Sequence, residues 1–329
     1  MTIELYFFLI LTLIGLSLCI REIKPDKLFS LISFILFFCY SIITRYAGFD
    51  VDMETYSLEL KNNTYSFYYL REPIYWLTSR YLYKLTNSPE ITFILLDALA
   101  IILIIKARSN LKLPQYFIFL YFLFFPSIMG MNNVYRQYLS YSFFIYFISL
   151  FYVQSSNLKK IIYLLLSILT HNSSALFSPL YFVLRSKSAP SIKSMVLSVS
   201  VVAALPLFLS TKSDLDTGLL RSEIYLLAIL AFAIFYIYSY NFIINSTSGN
   251  FFYYFIFSIF LVSISIFLMG SGQSKRVGMF ALIISLIPTT IAIETRYKQK
   301  KLMRCLIYIL LVIPTVIFPS SLSMLLTNE

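Results

Sequence analysis

The residues able to do chemistry in this chain stand in a few short clusters between long apolar stretches. Arg45 is followed closely by Asp50, Asp52 and Glu54, an arginine and carboxylates within one segment that also reads as an ordinary solvated loop. Glu72-Pro73 reads as a helix start, where the helix dipole stabilises a carboxylate whether or not it does chemistry. Asn132-Asn133-Val134-Tyr135-Arg136-Gln137 puts Arg136 at a helix mouth, and Arg276 in Lys275-Arg276-Val277-Gly278 stands similarly; arginines at such places can simply snorkel to the interface. His171 is the only histidine. It falls in the polar cluster Thr170-His171-Asn172-Ser173-Ser174, where it reads either as a group satisfying open helix ends or as a proton carrier near neutral pH. Asp97 lies inside an apolar run and calls for a structural partner that the sequence does not name.

Together these types suit one kind of chemistry. Guanidinium forks bind phosphate oxygens bidentately and keep their charge, so Arg45, Arg136 and Arg276 make a cradle for a phosphate or diphosphate. Asp52, Glu72 and His171 are the candidates for accepting a proton from a substrate hydroxyl. A loop carboxylate titrates near 4 and is a weak base unless desolvated, a carboxylate at a helix start is more acidic still, and histidine titrates nearest neutrality. The three remain open. There is no Gly-rich phosphate loop, serine elbow or clustered metal-ligand motif, so no metal and no cofactor is expected. Cys19, Cys39 and Cys305 are scattered in apolar stretches and read as small core residues.

Membrane helices must position these groups. The chain is 59% apolar and 12% charged, with a mean hydropathy of +0.80, against roughly 25% charged in a soluble domain. A membrane span needs about 20 apolar residues, so 329 residues leave no room for a large soluble head. Ten candidate spans lie at about 5–20, 28–44, 91–105, 115–131, 134–153, 191–210, 224–244, 251–269, 277–293 and 302–319. The first of these lacks the basic start of a signal peptide and is expected to stay as a helix. The expected fold is all-α and polytopic, a single membrane-embedded domain over 1–329.

Orientation follows from the basic loops. Segments 21–27, 106–112, 159–160, 185–193 and 296–304 hold 16 of the 26 Lys and Arg, and cytoplasmic loops carry that excess. All five share a face only if 161–184, broken at His171, enters and leaves on one side as a re-entrant hairpin; a single crossing there would change the split from 16 against 10 to 12 against 14. The N-terminus and the long loop 45–90 then lie outside, with Arg45, Asp52, Glu72, Arg136 and Arg276 all on that side and His171 reaching toward it. Within that loop Leu70, Ile74, Leu77, Tyr81 and Leu85 form an apolar stripe, which predicts a helix on the outer membrane surface with Trp76 and the tyrosines at headgroup level.

At these residues the chain resembles the EpsG-like branch of the Wzy-type polysaccharide polymerases. That family's arginine after an early helix and Gly-x-Asp-x-x-x-Tyr pattern are matched by Arg45 and by Asp50-Val51-Asp52-Met53-Glu54-Thr55-Tyr56, with Asp50 in place of the usual glycine. Its Glu-Pro before an aromatic-rich helix is matched by Glu72-Pro73-Ile74-Tyr75, its Arg-Gln by Arg136-Gln137, its His-x-Ser by His171-Asn172-Ser173, and its late arginine before a Pro-containing helix by Arg276 through Pro288. The resemblance adds Tyr56 and Gln137 to the substrate-binding residues. It implies an architecture related to C-type glycosyltransferases and O-antigen ligases. The implied activity is polymerisation of undecaprenyl-diphosphate-linked repeat units at the outer face of the bacterial cytoplasmic membrane, by an inverting, metal-independent transfer of the growing chain to the non-reducing end of the next unit. The product would be O-antigen, capsule or exopolysaccharide. Membrane lipids, a chain-length regulator and a flippase are the implied partners, and no nucleic acid is. A lipid-linked oligosaccharide flippase and a membrane O-acyltransferase are the competing readings.

Overall fold

A computed structural model describes residues 2–49, 51–62, 67–185, 196–201, 221–240, 246–269 and 271–326. Among them there is no strand. The helices group into two compact units, one built from residues 1–172 and 301–329, the other from 173–300.

The first unit opens with α1 (Ile3–Ile20), capped by the Thr2 hydroxyl on the Leu5 N–H, and α2 (Asp26–Ala47). Gly48 ends α2 at φ 130° and ψ 177°, a backbone conformation open only to glycine. A short α3 (Val51–Lys61) and a 3-10 turn (Phe67–Arg71) lead to α4 (Pro73–Thr86), which has proline at its first position as the Glu72-Pro73 pair predicts. The helix α5 (Pro89–Leu111) is capped by Ser88 and closed by Lys112 in the left-handed region.

The predicted span 115–131 is broken. Pro126 has no N–H for the preceding turn, so Phe124 turns extended between α6 (Tyr116–Leu123) and α7 (Phe125–Asn132). Thr315 donates its hydroxyl to the Leu123 carbonyl at 2.8 Å, meeting one of the acceptors left open at the break. Next come α8 (Tyr135–Ser149), buried at nearly every residue, and α9 (Asn157–Thr170), capped by Ser156. A 3-10 turn, Asn172–Phe177, and α10 (Leu180–Arg185) follow, but from Ser173 on the chain has left this first unit. Late in the chain, α14 (Lys300–Ile317) and α15 (Pro319–Leu326) return to this unit, bent by 74° at the break before Pro319. There α15 packs on α1 and α7.

The second unit is organised around α11 (Glu223–Ser239), α12 (Ser246–Leu268) and α13 (Ser271–Arg296), each packed on the other two. Gly278 lets α13 approach Tyr225 so closely that a Cβ there would stand 2.5 Å from the tyrosine's own Cβ.

Among the described residues four helices, α1, α2, α12 and α13, are long and apolar enough to cross a membrane, and α14 with α15 makes a fifth if the bent pair is one span. Four of the ten predicted spans, or five with the bent pair, therefore meet the test as helices. Of the others, α8 and α11 run for 15 and 17 residues and are short for a bilayer, α5 carries Glu90, Asp97, Lys106 and Arg108, and most of 191–210 lies outside the described residues.

Helix faces show what surrounds the protein. In α9 the polar Ser167 and Thr170 are buried while Leu158, Ile161, Ile162, Leu165 and Leu169 are exposed. In α14 Leu302, Leu306, Leu310, Ile313 and Ile317 are exposed in the same way. Apolar faces turned outward over whole helices belong against lipid, and the protein is a membrane protein. Along the 3-10 turn and α4 the stripe splits from its aromatic neighbours: Leu70, Leu77, Tyr81 and Leu85 are exposed and Ile74 is half-buried, but Trp76 is 3% exposed and Tyr75 2%. Trp76 is thus a core residue and not a headgroup anchor, because it turns inward to pack against Tyr56, Tyr69 and Tyr75.

Candidate functional site

Three helix ends meet in the first unit, and each brings one of the residues singled out by the sequence. Glu72 holds the N-cap position of α4 with its side chain turned to other partners, Arg136 stands in the first turn of α8, and His171 is the cap at the end of α9, its backbone extended at φ −154° and ψ 125°. The polar sequence 170–174 ends α9 there because the His171 N–H closes on the Ser167 carbonyl, after which the chain turns into the 3-10 segment.

The three side chains form one connected group. One carboxylate oxygen of Glu72 pairs with His171 Nδ1, and the Asn172 N–H approaches the same oxygen at 3.5 Å. Its other oxygen accepts from Arg136 Nη1. Glu72 and His171 are each 4% exposed. From α3, Tyr56 closes the group: its hydroxyl lies 3.4 Å from Arg136 Nε and its ring 5.3 Å from the guanidinium, with the Trp76 ring at 5.7 Å on another side.

Dipoles sort these charges. A carboxylate before the first turn of α4 is favourably placed, and so is an imidazole at the end of α9 whenever it carries its second proton. An arginine in the first turn of α8 is not, so helix stability does not explain Arg136; its partner Glu72 does. Burial by itself would raise the Glu72 carboxyl, but the His171 ring that pairs with it, the Arg136 charge and the Asn172 N–H outweigh that and hold it at about 2. Glu72 is ionised at neutral pH with both oxygens engaged.

Arg45 lies elsewhere. It sits in the last turn of α2, 2% exposed, with Nε 2.9 Å and Nη2 3.2 Å from the two oxygens of Asp97 in α5. Asp97 also accepts from Ser41 at 2.6 Å and from the Tyr135 hydroxyl at 2.8 Å, and Arg45 reaches the Met131 carbonyl at 3.0 Å. The structural partner that Asp97 calls for is therefore Arg45, which the sequence had grouped with the diphosphate binders. Tyr135 and Met131 flank the turn that delivers Arg136, so this buried network braces the mouth of α8.

The remaining candidates are placed as follows. Asp52 is in the first turn of α3, half-buried. Gln137 is fully buried in α8. Arg276 belongs to the second unit, half-buried in α13, which begins at Ser271 and so earlier than the predicted span. Asp50 lies outside the described residues. Sequence reasoning missed Trp76 and Tyr135 as walls of the site and of its brace, and Ser41 as a ligand of Asp97; the signal for Ser41 was its place one turn before Arg45 on the same face of an apolar helix. Among the described residues no group of three or more His, Cys, Asp or Glu could hold a metal ion.

Comparison with curated proteins finds no match, and comparison with solved structures finds none either. One family model does match, over residues 28–325, a stretch that takes in Arg45, Asp52, Glu72, Arg136, His171 and Arg276. With most of its length covered, the chain belongs to the EpsG family.

Proposed function

We propose that this protein is a membrane-embedded polysaccharide polymerase, the type of function its family suggests, acting on undecaprenyl-diphosphate-linked repeat units at the outer face of the cytoplasmic membrane. The observation that carries the reading is the convergence of Tyr56, Glu72, Arg136 and His171 from four separate elements into one connected group, buried except for part of Arg136. Snorkelling arginines and solvated carboxylates would not assemble in this way.

In the proposed reaction the acceptor sugar hydroxyl attacks the anomeric carbon of the growing chain from the face opposite the lipid diphosphate. The new C–O bond forms as the bond to the diphosphate breaks; the hydroxyl proton goes to a base and the electron pair leaves with the diphosphate. Arg136 stabilises that leaving charge, since its fork can serve Glu72 through one nitrogen and a diphosphate oxygen through another. Arg276 keeps the diphosphate-binding role suggested by its motif.

Glu72 is the positioning residue. A carboxylate held at about 2 with both oxygens engaged is a poor base, but it aligns His171 through Nδ1. In the neutral ring with the proton on Nδ1, Nε2 is the acceptor, and we assign the base role to His171 ahead of Asp52.

Deletion and purified turnover test the reading. In the producing strain a deletion should collapse the polysaccharide ladder to a single repeat unit on its lipid carrier. Loss of all surface sugar would instead indicate transport and overturn the proposal. With purified protein and lipid-linked units, His171→Gln should remove turnover while lipid binding survives; near-normal turnover would return the base role to Asp52, with Asp52→Asn as the deciding variant.

A further inference from the structure

Away from the candidate site, the end of α1, the loop into α2 and the first turns of α14 form a basic cleft. Along α2, Asp26 and Arg45 are separated by about 28 Å at 1.5 Å per residue, close to the thickness of a bilayer's hydrocarbon core. At the Asp26 end a cavity of about 630 Å³ is lined by Ile20, Arg21, Glu22, Lys24 and Arg304.

The loop that carries the cleft is held in place. Gln115, 3% exposed, clamps both backbone groups of Ile23, accepting from its N–H at 2.7 Å and donating to its carbonyl at 2.7 Å. Arg108 pairs with Asp26 at 2.7 Å, tying the start of α2 to the end of α5. On the other wall, Arg304 of α14 lies over the buried Tyr116 ring at 5.8 Å and stands 3.7 Å from Glu22. Three cations thus face one carboxylate, and among the described residues Arg21 and Lys24 make no ion pair.

An amphiphile fits the surroundings better than a soluble anion. Ile20 lines the cavity and is 54% exposed, and Leu13, two turns earlier on the same face of α1, is exposed as well. The cleft also belongs to segments 21–27 and 296–304, whose basic excess points to the cytoplasmic leaflet, where anionic lipids meet basic pockets between helices.

We propose that this cleft is a binding site for the phosphate headgroup of an anionic phospholipid, whose acyl chains lie along the outer face of α1. Arg21, Lys24 and Arg304 supply the charge, and the Gln115 clamp holds the loop that carries two of them.

Native mass spectrometry of the full chain titrated with phosphatidylglycerol or phosphatidylcholine tests this. Wild type should bind one phosphatidylglycerol at least about tenfold more tightly than phosphatidylcholine. Arg21→Gln with Arg304→Gln should weaken it by about 10- to 30-fold, taking each cation near the surface at its usual worth. Lys106→Gln with Lys159→Gln, which removes the same charge from exposed positions elsewhere on the basic side, should leave it nearly unchanged. If the Arg double variant does not fold, Lys24→Glu gives the same reading, since it reverses one exposed charge and leaves the Arg304–Glu22 pair in place. Equal weakening by both double variants, or equal binding of the two lipids, overturns the site. Displacement of the lipid by millimolar glycerol phosphate would mark a soluble-anion site and overturn the lipid assignment.

Discussion

Glu72 is the residue on which the candidate site turns, because one carboxylate holds both an imidazole and a guanidinium. Its conservative variant Glu72→Gln keeps the shape and removes the charge. We expect turnover to fall by about 10²-fold or more, in line with losing an oriented proton carrier, with lipid-linked substrate still bound. Arg136→Lys should recover only part of the activity lost in Arg136→Ala, because an ammonium lacks the planar fork; full recovery would show that charge alone suffices. The pH dependence of stability has a definite sign. Folding holds the Glu72 carboxyl at about 2, below the roughly 4.3 of an unfolded chain, so it favours the ionised form. The stabilisation, about 3 kcal/mol at most by the free-energy equivalent of such a shift, is complete above that unfolded value and drains away as pH falls from there toward 2. Thermal midpoints of wild type and Glu72→Gln should therefore converge on acidification, and a constant gap between them would contradict the assignment.

At the scale of elements, the Arg45–Asp97 pair joins α2 to α5 and, through Tyr135 and Met131, braces the start of α8. Both partners are nearly inaccessible, so removing one leaves a buried charge uncompensated. Asp97→Asn or Arg45→Met should each cost about 3–5 kcal/mol. The pair Arg45→Met with Asp97→Leu should cost clearly less than the sum of the singles, since it removes both charges together; additive losses would show that the two do not act as a pair. A second contact joins α1 to α14 and α6. At Gly15 a Cβ would stand 2.1 Å from the Tyr308 hydroxyl and 2.8 Å from the Phe119 Cβ, so Gly15→Ala overpacks the junction at a cost of about 1–3 kcal/mol. A shorter side chain at Tyr308 should return part of that loss in thermal melts.

For the whole molecule, the decisive question is which face each end of the helices meets. The basic segments predict that cysteines introduced at Lys106 and Lys298, with native cysteines removed, stay inaccessible to an impermeant reagent from outside, while one at Lys84, near the end of α4, is labelled. Lys187 would test the returning arm of the expected hairpin; it lies outside the described residues. Outside labelling at Lys298 would mean that 161–184 crosses the membrane once, and the proposed outer position of the site would need a different set of loops.

Helices, their caps and their breaks were written locally. Ser88-Pro89, Glu72-Pro73 and the polar run at His171 act through backbone geometry and nearby hydrogen bonds, so the sequence alone determined an all-helical chain with a carboxylate, an arginine and a histidine at helix ends. Hydropathy likewise determined that lipid surrounds it. Pairing across distance was not written there. Asp97 required a partner, but the charge on Arg45 is satisfied equally well by a phosphate or a carboxylate, and only the packing of α2 on α5 chose the carboxylate 52 residues away. Trp76 and Tyr81 share one helix and one aromatic character, yet one is core and the other exposed, because which side of α4 meets Tyr56 and Tyr69 depends on where α3 and the 3-10 turn lie. Local forces act within a turn or two of chain; the burial that selected Arg45 for Asp97, and gathered Glu72, Arg136 and His171, is a property of the packed helices.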